Sequence, residues 1–192
     1  VARGVRGCGE LKAPAFWADE GVGELLAEVN RLRMLLVFHM EGPSLQFRTR
    51  GKAERILSKL YVSPRVGNLT GRALRTLECV LPSLRRKRQS MELRPPGYLT
   101  DVEQLERRIE EFPDISFVGH GPLFWSHLGE AVDEKALFQK GPVVSEGLVP
   151  RWFRKFHNLF ADISGGSGYY ALHRDLDYAR RFLVEFQDRI LY

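Results

Sequence analysis

The chain has 192 residues and a formal net charge of +5, long enough to bury one sizeable core. Hydrophobic residues make up 44% and charged residues 28%, a balance that excludes low-complexity and coil-like chains. No apolar run approaches the roughly 20 residues of a membrane span and no charged-then-apolar leader opens the sequence, so the expected setting is cytoplasmic, with no membrane partner.

In chain order, Val5 to Lys12 reads as a strand and Val22 to Arg33 as a helix with Leu25, Leu26, Val29 and Leu32 on one face. Met34 to Met40 is a second strand. Thr100-Asp101-Val102-Glu103 has the spacing of a capping box opening a helix to Phe112, which Pro113 ends. Ile115 to His120 is a third strand. Val149 to Phe156 predicts a basic helix with Trp152, Phe153 and Phe156 on its apolar side, and Leu159 to Ser164 a fourth strand. Asp175 to Phe186 predicts another helix, and Ile190 begins a fifth, buried strand. Strands alternating with helices argue for parallel β/α units. The nearly continuous apolar strands fit a sheet covered by outer helices. The predicted class is α/β, a partial (β/α)8 TIM barrel in a single domain.

Residues 42–97 interrupt this rhythm, being far longer than an ordinary loop. They hold two amphipathic stretches, Ala53 to Leu60 and Leu69 to Leu81, and end near Arg85-Arg86-Lys87-Arg88. Between Arg48 and Arg94 there are 13 Lys/Arg against 3 Asp/Glu. The expectation is a basic, largely helical insertion. It carries no recognised nucleic-acid motif, so its arginines are expected to face solvent or to attract a carboxylate-bearing substrate. Cys8 and Cys79 match no metal spacing and are expected to be reduced packing residues. The chain starts at Val1 and stops in a strand-like run. A whole barrel takes about 250 residues, so an incomplete domain is expected, one whose exposed sheet edges favour association between copies.

In barrels of this kind catalytic groups project from the C-terminal ends of several strands. The polar residues at those ends are Glu10 and Lys12, His39 and Glu41, His120, and Asp162 and Ser164. Two histidines at equivalent strand ends stand out, because imidazole binds transition metals and exchanges protons near neutral pH. Alternation places Cys8, Glu10 and Lys12 on one strand face, where Glu10 and Lys12 are candidates to pair at the rim and contact substrate. Asp162 is a candidate to orient His120. The turn Gly165-Gly166-Ser167-Gly168 offers backbone N–H groups, and Trp125, beside Phe124, is a candidate pocket wall. His127, His157 and His173 are expected at the surface.

The segments Gly7-Cys8-Gly9-Glu10-Leu11-Lys12, Leu36-Val37-Phe38-His39-Met40, Phe117-Val118-Gly119-His120-Gly121-Pro122, Leu159 to Gly168 and Phe186 to Tyr192 together resemble the amidohydrolase-related, metal-dependent hydrolases of barrel fold, of the aminocarboxymuconate-semialdehyde decarboxylase type. The resemblance covers most of the chain outside the insertion. It implies that the visible strands are the fourth to the eighth. It implies His39 as a metal ligand, and His120 as a second ligand or as the group that orients substrate and exchanges protons. A divalent ion is implied, zinc first, with manganese or iron as alternatives. The family's histidine pair on the first strand and aspartate on the eighth are not in this sequence, so the polypeptide alone is expected to hold metal weakly and be inactive. The implied activity is hydrolysis of a C–N or C–O bond in a small-molecule substrate. Decarboxylation of a small aromatic or unsaturated acid and a non-catalytic binding role are the alternatives. The absence of a carboxylate in Gly121-Pro122-Leu123-Phe124 favours hydrolysis.

Overall fold

A computed structural model describes residues 4–42, 97–133 and 136–192. The helical and basic features expected within 43–96, including Cys79 and Arg85 to Arg88, lie outside the described residues. Five strands form one all-parallel sheet in sequence order: β1 (Gly7–Leu11), β2 (Leu35–His39), β3 (Phe117–His120), β4 (Leu159–Asp162) and β5 (Ile190–Leu191). The helices are α1 (Glu20–Arg31), α2 (Val102–Glu111), α3 (Pro122–Ser126), α4 (Leu148–Lys155), α5 (Gly166–His173) and α6 (Leu176–Glu185). The class is α/β.

Alternation along the strands divides the sheet into two chemically different faces. Leu36, Phe38, Phe117, Leu159 and Ala161 point to one side and are fully buried. Trp17, Leu26, Leu105, Ile109, Phe124 and Phe153 join them in one apolar cluster. Phe38 is its centre, with edge-on contacts to Trp17, Phe117 and Phe124. Each leucine, isoleucine or phenylalanine of this cluster contributes about 1.5–3 kcal/mol on leaving water. The intervening residues, Val37 and His39, Val118 and His120, Phe160 and Asp162, occupy the other face and end in polar groups at the C-terminal rim. His39 and His120 are direct register partners, so adjacent parallel strands deliver both rings to the same side at the same height.

Several elements differ from the sequence reading. No capping box forms at α2. Asp101 stands at its N-cap, and its carboxylate accepts from the Trp17 and Ala18 backbone N–H groups at 2.6 and 3.0 Å. The helix is thereby fastened to the loop after β1. The face of α1 is Val22, Leu26 and Val29, with Leu32 serving as its C-cap. The glycine-rich turn is the first turn of α5, with Gly165 at its N-cap. The fifth strand is half-buried: Leu191 is 45% exposed, because β5 has a strand neighbour on one side only. At the far end of the sheet, Asn158 gathers three carbonyls. Its amide donates to Ile109, Phe112 and Ile115 at 3.4, 3.2 and 3.1 Å, locking the end of α2 to the entry of β3.

Candidate metal centre

β1 does not keep simple alternation. Cys8 is level with Leu36 and Leu11 with Phe38, so one extra residue is accommodated between them. Such a bulge re-aims the side chains around it. Cys8 and Leu11 therefore pack half-buried against the core, while Glu10 turns to the face that carries His39. The expected single face of Cys8, Glu10 and Lys12 is broken by this register shift.

The re-aimed Glu10 meets both histidines. Its Oε1 lies 2.5 Å from His39 Nδ1 and 3.9 Å from His120 Nε2. The ligand-capable atoms of Glu10, His39 and His120 all fall within 4.8 Å of one another. The two rings are 5.5 Å apart between centroids and tilted by 51°. Donors bound to one tetrahedral ion at about 2.1 Å stand about 3.4 Å apart. The 2.5 and 3.9 Å separations straddle that spacing, and the donors, one carboxylate and two imidazoles, suit a zinc-like cation. The group fits.

The opposite nitrogen of each ring also faces a carboxylate. His39 Nε2 is 3.0 Å from Glu41 Oε2, and His120 Nδ1 is 3.1 Å from Asp162 Oδ2. The His120–Asp162 contact is an ion-pair approach off the line of a hydrogen bond, which leaves His120 Nδ1 a buried atom without a hydrogen-bonding partner. Asp162 also accepts from the Ser164 N–H at 2.7 Å and donates nothing back to the Ser164 hydroxyl, whose proton it accepts at 2.8 Å. Asp162 thus serves both as a turn acceptor and as a neighbour of His120.

Two glycines make room for the rings. Gly121 has φ +96°, and a Cβ there would press on the Met40 backbone and on His39. A Cβ at Gly165 would come within 2.9 Å of His120 Cε1. The glycine-rich segment therefore serves as a wall for His120.

Other expected contacts fall elsewhere. Lys12 Nζ lies 3.2 Å from Glu41 Oε2 instead of pairing with Glu10. Trp125 is 1% exposed, packs on Phe124 and Phe182, and donates its indole N–H to the Asp162 carbonyl at 3.2 Å. It is a core residue that braces β4. The crevice it borders, about 10 Å³, has room for about one water. His157 and His173 are exposed. His127, expected at the surface, is partly buried, and burial pushes its imidazole down to about 4. An open hollow of about 610 Å³ lined by Asn30, Arg31, Arg33 and Asp114 lies at the opposite ends of the strands, away from the histidines.

Glu41 stands at a strand end in the sequence, with no role evident there. The signal was its spacing: in His39-Met40-Glu41, residues two apart share a strand face. Tyr98 had no local signal. It reaches the site because Glu41 and Tyr98 form an antiparallel bridge, with backbone bonds of 3.0 and 2.9 Å. Its ring stands edge-on to His39 at 6.4 Å. No protein-family model, curated protein or solved structure matches this chain. Among the described residues, no helix is long and apolar enough to cross a membrane.

Proposed function

We propose that this protein is a metal-dependent hydrolase of the amidohydrolase type, built on a partial (β/α)8 barrel, with Glu10, His39 and His120 as ligands of a divalent ion, zinc first. One observation carries the reading: each histidine offers one nitrogen to the point shared with Glu10 and turns the other toward a carboxylate. The His39–Glu41 hydrogen bond is the arrangement by which proteins orient imidazole ligands. The sequential order of the parallel strands supports the barrel, because crossovers of the usual right-handed sense would then put the connecting helices on one face. Such a sheet keeps its polar chemistry at the C-terminal rim.

Three protein ligands with an open position are the donor count of catalytic zinc sites. Two imidazoles alone are too few for tight binding, and Glu10 would supply a third ligand from within this chain. A bound ion would lower the pKa of its water to about 7 and polarise the carbonyl of a small amide or ester. The chain's own residues do the rest. Glu10 and His39 hold one side of the site, His120 holds the other, and Asp162 stands 3.1 Å from the far nitrogen of the His120 ring. Lys12 is occupied by Glu41, so its role is to hold that carboxylate.

The test is uptake of Zn²⁺ or Co²⁺ by the purified protein, followed by competition with a chromophoric chelator and by cobalt absorption. One equivalent is expected, and His39→Ala or His120→Ala should weaken it at least about 100-fold, a loss of about 2.7 kcal/mol or more. Chelator-sensitive hydrolysis of small amides and esters should follow the same variants. Failure of the wild-type chain to take up either ion would remove this reading.

A further inference from the structure

We propose that Arg174 and Tyr178 form a binding site for a small oxyanion, a carboxylate or a phosphate, where the turn between α5 and α6 meets the bridge between Gly129 and Glu146. The site uses none of the residues of the histidine cluster, and the proposal stands apart from the ion-binding reading.

Two buried polar atoms lie there without a hydrogen-bonding partner, Arg174 Nε and the Tyr178 hydroxyl. Tyr178 is 7% exposed and Arg174 is half-buried. Buried polar atoms are so regularly paired that each exception calls for an explanation. Arg174 is the C-cap of α5, and Tyr178 lies in the first turn of α6. The phenol is close enough to act electrostatically on the guanidinium. Across from them Gly129 bridges to Glu146 in antiparallel fashion. Glycine admits the arginine head at this point: a Cβ on Gly129 would stand 2.8 Å from Arg174 Nη2 and 3.5 Å from Val143 Cγ1.

The carboxylates of this region are engaged elsewhere. Glu146 and Glu185 each bind Arg154 through both oxygens. Asp175 accepts from the Val143 and Tyr178 backbone N–H groups, both at 3.0 Å. Among the described residues no carboxylate forms an ion pair with Arg174. A desolvated cation without a counter-ion is costly. A neutral partner would serve the hydroxyl alone, whereas an oxyanion serves both groups. The planar guanidinium matches a carboxylate or phosphate edge, and Arg181, 5.9 Å from the centroid of the Tyr178 ring, adds positive charge. Burial pushes the Tyr178 phenol up to about 12, so at neutral pH it keeps its proton and donates it to the anion.

The test titrates metal-free protein separately with inorganic phosphate and with acetate, following the Arg174 Nε–H signal by nitrogen-edited NMR. Saturable movement of that signal is expected with at least one of them. Saturation by phosphate alone would identify a phosphorylated ligand and saturation by acetate alone a carboxylate, and either upholds the site. Arg174→Gln should weaken binding of the saturating anion about tenfold or more, and Tyr178→Phe about threefold, read by calorimetry. Tyr178→Phe should melt no lower than the wild type in anion-free buffer, because it removes a hydroxyl that has no partner in the protein. No saturation by either anion below about 50 mM, saturation that leaves the Arg174 signal in place, or variants that bind as the wild type does would overturn the proposal.

Discussion

His127 shows how a residue outside the rim shapes behaviour in solution. Burial lowers its imidazole from 6.5 to about 4, so in acid the unfolded chain takes up the proton before the folded one. Stability tied to this residue is intact above pH 6.5 and is lost as pH falls toward 4, by up to about 3 kcal/mol. Urea midpoints at pH 7 and pH 4.5 should therefore drop more for the wild type than for His127→Gln. A variant with an unchanged pH slope would place the acid sensitivity elsewhere. Glu10 illustrates the other lesson of single residues. The sequence placed it at a strand end, yet which partner it meets depends on an extra residue in β1 that period-two alternation cannot anticipate.

At the scale of elements, the two ends of the sheet divide their tasks. The C-terminal rim carries the carboxylate and imidazole cluster. The N-terminal end is tied by Asn158, whose single amide serves three carbonyls from α2, the turn after it and the approach to β3. Asn158→Ala should leave those acceptors short of a buried donor and cost about 1–3 kcal/mol, read as a lower urea midpoint. Zn²⁺ affinity of the folded variant should stay within about twofold. The strands and four of the helices were legible as apolar periodicity, to within a few residues at their ends. The fifth helix was hidden because Gly165, Gly166 and Gly168 read as a turn, although glycine at an N-cap is compatible with a helix that packing then stabilises. Asp101 and Thr100 competed for one cap, and tertiary bonds from Asp101 to Trp17 and Ala18 decided it.

Over the whole molecule, an ion at the rim would couple to global stability, because it binds side chains from three strands that converge only in the folded chain. Zn²⁺ at 100 times its dissociation constant should raise the unfolding free energy by about 2.7 kcal/mol. His39→Ala should show no such gain, which calorimetric or urea melts with and without Zn²⁺ would check. Parallel strands and the placing of His39 and His120 at equivalent strand ends were legible from the alternation of strands and helices, whereas their direct pairing is a property of the fold. Their junction with Glu10, Glu41 and Tyr98 required three-dimensional contacts spanning up to 110 positions of sequence, from Glu10 to His120.

The bridge between Glu41 and Tyr98 bears on how such a chain tolerates change. Because the two residues already sit side by side, everything between them leaves and re-enters the sheet at a single doorway. Loop-closure entropy changes by only about 0.6 kcal/mol for each doubling of length. Evolution can therefore lengthen, shorten or replace that stretch while β2, α2 and the two histidines keep their places.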